Sequence, residues 1–97
     1  MITMINRIEV TGEDEQFRAA LDAISVHMRK QPGFLSYRLY RSLREPTSYA
    51  MVSHWVSAEA HIRATRDNHE AQQLIGRLRE LASNSPVVYE TIESVEA

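Results

Sequence analysis

Asn6 is the one polar side chain in an alternation that is otherwise apolar: Ile2, Met4, Asn6, Ile8 and Val10. A strand that sends its neighbours into a core sends this amide there too. An unpaired buried amide costs about 1–3 kcal/mol, so Asn6 either bonds nearby backbone as a core group or meets a ligand. Trp55 closes another alternating run and combines a large flat ring with one N–H donor, suited to core packing or to stacking on a flat ligand. His61 follows on a short helix whose one side carries Ala58, His61, Ile62 and Thr65. Its imidazole, with an ordinary pKa of about 6.5, suits general-base work at neutral pH; the alternative is a hydrogen-bonded histidine in a first helical turn.

Other chemistry is poorly supported. His27 lies at a stripe edge, His54 on a sheet face and His69 near a helix start, and the four histidines show no paired spacing or carboxylate cluster that would hold a metal. Cysteine is absent, which removes thiolate sites, disulfides and iron–sulfur clusters. Ser53 lacks the strand-turn-helix setting of a nucleophile and reads as a lining residue. Three glycines form no phosphate-binding loop. Tyr40, Tyr49 and Tyr89 are amphipathic candidates for contact with an aromatic ligand.

These residues need elements to position them. Ile2 to Val10 reads as a strand, and Thr11-Gly12-Glu13-Asp14 as a turn and helix start. Phe17, Leu21, Ile24 and Met28 then form one apolar stripe, ended by Gln31-Pro32-Gly33. Phe34 to Ser42 is a second strand, with Leu35, Tyr37 and Leu39 opposed to Phe34, Ser36, Arg38 and Tyr40; Arg38 and Tyr40 are expected to look into a cleft. Tyr49 to Val56 is its antiparallel partner, with Tyr49, Met51, Ser53 and Trp55 on one face. Ser57 caps the short helix, Asp67-Asn68-His69-Glu70 recaps, and Ala71, Leu74, Ile75, Leu78, Leu81 and Ala82 make the strongest helical stripe. Ser83-Asn84-Ser85-Pro86 is read as a break before a last strand from Val87 to Val95.

The order β-α-β-β-α-β is the split ferredoxin-like pattern, an α+β fold with a four-stranded antiparallel sheet and helices on one face. The other face is expected to carry Ile5, Leu35, Tyr37, Leu39, Val52, Val56, Val88 and Ile92, an apolar area that a homodimer would cover. The chain of 97 residues makes a single domain, residues 1–97, since this length holds one core. A net charge of −2 with scattered Lys and Arg argues against nucleic acid as a partner. No apolar run reaches the roughly 20 residues that span a bilayer, and the first residues lack the order of a secretory signal, so no membrane partner and a cytoplasmic location are expected.

At Pro32-Gly33-Phe34-Leu35-Ser36-Tyr37-Arg38-Leu39-Tyr40-Arg41-Ser42, at Tyr49-Ala50-Met51-Val52-Ser53-His54-Trp55 and at Ser57-Ala58-Glu59-Ala60-His61, the chain resembles the antibiotic biosynthesis monooxygenase family. The resemblance covers nearly the whole chain and implies a dimeric α+β barrel. It also implies a choice of chemistries: cofactor-independent oxygenases that turn aromatic polyketide phenols or anthrones into quinones, heme-degrading enzymes, and small-metabolite isomerases. The oxygenases use an asparagine and a tryptophan between sheet and helices, which Asn6 and Trp55 match; their companion asparagine, four residues before the tryptophan, is Met51 here. The heme-degrading branch matches at Asn6, but its second tryptophan and axial histidine fall near Ala64 and Leu74.

The resemblance and the residues together lead to an expected cofactor-free monooxygenase, with O₂ as co-substrate, acting on a small aromatic polyketide-like compound. His61 is the expected base, Asn6 the anion stabiliser, Trp55 the stacking surface and Arg38 a counter-charge. Arg38, Tyr40, Met51, Ser53, Thr65 and Tyr89 are the expected substrate contacts. Two alternatives stay open: heme binding or degradation with His61 as axial ligand, and a non-oxidative cyclase or ligand-binding protein.

Overall fold

The computed structural model describes all residues, Met1–Ala97. The order is β1 (Ile2–Val10), α1 (Asp14–Met28), β2 (Phe34–Arg41), β3 (Ser48–Trp55), α2 (Ala58–Ala64), α3 (His69–Arg79) and β4 (Ala82–Glu90). The strands form one antiparallel sheet in the order β2-β3-β1-β4, the ferredoxin-like arrangement expected from the sequence.

β1 is a central strand: Asn6 faces Met51 of β3 on one side and Pro86 of β4 on the other. Its alternation sends Met4, Asn6, Ile8 and Val10 into the buried layer. There they meet Phe17, Leu21 and Ile24 of α1 and Leu78 at the end of α3. Ser57 caps α2 through a hydrogen bond accepted from the Ala60 amide at 3.1 Å, and Asn68 caps α3 by accepting from Ala71 at 2.9 Å. The second helical region is therefore two short helices joined at residues 65–68, with Asn68 of the recapping segment expected at residues 67–70 as the cap of the second.

Two strands differ from the sequence expectation. In β2 the register slips between Phe34 and Ser36, so that Leu35 bulges out and the alternation reverses beyond it. Phe34, Tyr37 and Leu39 all face the helices, opposite Trp55, Ser53 and Met51. Ser36, Arg38 and Tyr40 lie on the open face, opposite His54, Val52 and Ala50, so Arg38 and Tyr40 do not look into the space under the helices.

The last strand begins at Ala82, only three residues after α3, and Ser83-Asn84-Ser85-Pro86 belongs to it instead of forming a break. β4 is an edge strand, where a proline's missing N–H is tolerated. Val88 pairs with Met4 and so lies on the helix side, whereas Val87 and Tyr89 pair with Ile5 and Thr3 on the open face. The strand stops at Glu90; residues 91–97, including Ile92 and Val95, are exposed and irregular.

Gly33 carries the turn into β2 at φ +89, and a Cβ there would sit 2.5 Å from Ala60 Cβ and 2.8 Å from Val56 Cγ2. Both the backbone conformation and the space demand glycine. Gly76, inside α3, has nothing within 4 Å of an added Cβ. Gly33→Ala is therefore expected to destabilise the fold by about 1–3 kcal/mol. Gly76→Ala is expected to stabilise it by about 0.5–1 kcal/mol. Thermal melts of the two variants should move in opposite directions.

Candidate active site

Between the sheet and the helices lies a cavity of about 320 Å³. Its floor is Met4, Asn6, Met51, Ser53 and Trp55, with Asn84 and Pro86 of β4 on one flank and Phe34 and Tyr37 of β2 on the other. Leu21, Ile24, Ser25 and Met28 of α1 form one wall. His61, Thr65, Arg66, Gln72, Ile75, Leu78 and Arg79, from α2, α3 and their joint, form the opposite one. The first strand's amide and the third strand's indole thus look into the same space, as the sequence reading requires.

Asn6 is 4% exposed and its Oδ1 has no hydrogen-bond partner. The core-amide reading needed a bond to neighbouring backbone, and that oxygen makes none. Trp55 is 1% exposed. Its Nε1–H donates to Ser53 Oγ at 3.1 Å, two residues along the same face of β3. Phe34 and His61 both meet the indole edge-on, at centroid distances of 5.3 and 5.4 Å. Trp55 is therefore a fixed wall with its donor already used, more than an open stacking platform.

His61 is half-buried, and desolvation lowers its pKa from the ordinary 6.5, so the imidazole is neutral at neutral pH. Because the folded value lies below the unfolded one, its contribution to stability is complete above pH 6.5 and is lost as pH falls through the folded value. Thr65 steadies this end of α2: its hydroxyl donates to the His61 carbonyl at 2.7 Å. Burial also raises the pKa of Tyr37, keeping that phenol protonated at the cavity edge.

Of the candidate residues, Asn6, Met51, Ser53, Trp55, His61 and Thr65 converge on the cavity. Arg38, Tyr40 and Tyr89 do not: strand pairing puts them on the opposite face of the sheet. A counter-charge from Arg38 is thereby excluded by geometry. Tyr40 instead borders a wider polar groove with Arg7, Arg41 and Glu45, which contains no buried unpartnered group. Tyr49 is core, its hydroxyl donating to Asp14 at 2.6 Å. His54 shares a hydrogen bond with Thr3 at 2.9 Å, and His27 sits 3.3 Å from Glu70 outside the cavity. No three potential metal ligands come together.

Sequence reasoning missed Tyr37, Asn84, Arg66, Gln72 and Arg79. The bulge at Leu35 hid the first, and the reading of residues 83–86 as a break hid the second. The spacing of Gln72, Ile75 and Arg79 along one side of α3 was the available signal for the last two.

Residues 1–83 match the sequence profile of the antibiotic biosynthesis monooxygenase family. The chain belongs to that family. It is 29% identical over 63 residues to deoxynogalonate monooxygenase of Streptomyces nogalater, a match covering 65% of this chain and spanning about half, 53%, of that protein. Its fold superposes on SnoaB, a cofactor-independent oxygenase from Streptomyces nogalater, with a TM-score of 0.93 at 22% identity, covering 99% of this chain and 97% of that one. The Rv0793 protein of Mycobacterium tuberculosis gives 0.80 at 18% identity, covering 99% and 100%. At these identities the structural likeness speaks for the fold.

If Asn6 serves a ligand, replacing it should relieve the fold while harming the site. Asn6→Leu is expected to raise stability in chemical denaturation by about 1 kcal/mol, because an unpaired buried amide becomes apolar. A loss of stability would instead assign the amide to the core.

Proposed function

We propose that this family member is a cofactor-independent monooxygenase that oxidises an electron-rich aromatic phenol or anthrone of the polyketide type. The observation that carries this reading is the unpartnered Asn6 oxygen in a largely apolar cavity that a neutral histidine also lines. Kinship with a monooxygenase acting on deoxynogalonate supports the same chemistry.

The reaction needs no redox group of the protein. His61 takes a proton from the activated carbon or phenol, leaving a carbanion delocalised onto an oxygen. The Asn6 side-chain N–H group donates to that oxyanion, where a preorganised donor acts most strongly in a water-poor site. The anion gives one electron to O₂, the radical pair combines to a peroxide, and loss of water leaves the new carbonyl. For an anthrone methylene, R₂CH₂ and O₂ become R₂C=O and H₂O, so one oxygen atom enters the product and the substrate supplies all four electrons.

Metal-free protein is expected to consume O₂ with an anthrone, forming quinone and water; no uptake across anthrones and naphthols would end the proposal. With a substrate that turns over, the rate should hold through neutral pH and fall only below 6.5, since burial lowers the His61 pKa. His61→Gln should lower kcat by about 10²–10⁴ and abolish that acid limb.

The assembly we propose is a homodimer through the open sheet face. Ile5 and Val52 lie side by side there, and Tyr40, Val87 and Tyr89 extend the exposed apolar area. Light scattering is expected to return twice the 11.1 kDa chain mass. Val52→Asp should return the single-chain mass if this face is the contact.

A further inference from the structure

Three of the chain's four methionines line the cavity: Met4 of β1, Met51 of β3 and Met28 of α1. The fourth, Met1, is 63% exposed. The chain has no cysteine, so these thioethers are the sulfur it offers to an oxidant. A methionine in a filled core is protected twice, because no oxidant reaches the sulfur and no room exists for an added oxygen. Met51 is 9% exposed and Met4 7%, yet both border the cavity of about 320 Å³, so neither protection holds.

Their surroundings differ. In the register of β1 with β3, Met51 is directly opposite Asn6, whereas Met4 is opposite Ser53. Directly opposed side chains of an antiparallel pair have Cβ atoms about 4.5–5.5 Å apart, so the Met51 thioether stands beside the Asn6 amide on the cavity floor. The Asn6 oxygen is a buried acceptor without a partner, and what it lacks is a donor. A thioether has no hydrogen to give it. Ser53 already accepts the Trp55 N–H at 3.1 Å, so the residue opposite Met4 holds no unpartnered acceptor.

Hydrogen peroxide meets both requirements of the Asn6 and Met51 pair: its O–H groups are donors, and its O–O bond is the one a thioether attacks. We propose that Asn6 and Met51 form a peroxide-reactive modification site, in which the Asn6 oxygen accepts one O–H of hydrogen peroxide and holds the O–O bond against the Met51 sulfur. The sulfur lone pair takes the nearer oxygen, the O–O bond breaks, and the departing hydroxide leaves as water with the proton of the transferred oxygen. Sulfur loses two electrons and peroxide gains them: R–S–CH₃ and H₂O₂ become R–S(O)–CH₃ and H₂O. The sulfoxide oxygen is a strong acceptor where the sulfide was a weak one, and it takes the Asn6 N–H donor away from any oxyanion in the cavity. Oxidation of Met51 thus turns the site off, and reduction of the sulfoxide turns it on again. The modification needs only the cavity; its effect on turnover rests on the oxygenase reading above.

Peptide mass mapping after timed exposure of the folded protein to dilute hydrogen peroxide follows each methionine separately. Met51 is expected to gain oxygen about fivefold faster than Met4, the worth of one neutral hydrogen bond, with exposed Met1 as the solvent reference. Asn6→Leu and Asn6→Ala should both slow Met51 to the Met4 rate. The alanine variant widens the cavity, so access alone would make oxidation faster there. Met51 no faster than Met4, or as fast in both variants as in the parent protein, would overturn the proposal.

With a substrate that turns over, oxygen uptake should fall in step with Met51 sulfoxide and recover after treatment with a methionine sulfoxide reductase. Uptake that stays level while Met51 oxidises would remove the switching role. Absence of turnover with every substrate would end the oxygenase reading and leave the mapping result standing; an active enzyme without preferential oxidation at Met51 would sink this site alone.

Discussion

The register of the central strand governs the rest of the molecule. β1 is hydrogen-bonded on both edges, so its pleat decides at once which side chains of β3 and β4 share a layer with the helices. With Asn6 facing inward, Met51 and Pro86 face inward beside it, and Ser53, Trp55 and Asn84 follow by alternation. A slip of one residue would turn the amide and the indole out to the open face and dismantle the cavity.

That arrangement carries an energetic cost that core packing would not incur. The Asn6 oxygen is buried without a partner, and the space above it is lined without being filled. An apolar side chain would satisfy the layer better, so the fold holds a polar group against its own stability. Elsewhere the walls are well determined. The Trp55 donor is satisfied by Ser53, and its ring is braced by Phe34 and His61. Thr65 holds the carbonyl of His61. A rigid frame around one unsatisfied acceptor is the arrangement that preorganised binding requires.

Covering the sheet with two short helices in place of one long helix also shapes the chemistry. The joint at residues 65–68 brings Thr65 and Arg66 to the cavity, and the next helix lays Gln72, Ile75, Leu78 and Arg79 along its length. One layer thus supplies an imidazole and guanidinium groups to the cavity, with apolar side chains between. A ligand entering such a space meets a direction as well as a volume.

The sequence by itself determined the element order, the inward face of β1, the Ser57 and Asn68 caps and the joining of Asn6, Trp55 and His61 in one layer. These follow from period-two and helical spacing, which are local properties of the chain. Only the tertiary structure decided the faces of β2 and the start of β4. The Leu35 bulge reverses every side chain after it, and pairing to β1 carries a Ser-Asn-Ser-Pro segment as strand against its own turn tendency. Both depend on a partner strand remote in sequence. Arg38, Tyr40 and Tyr89 therefore left the site while Tyr37 and Asn84 entered it, because a side chain's direction in a sheet is set by the strand it pairs with as much as by its own neighbours.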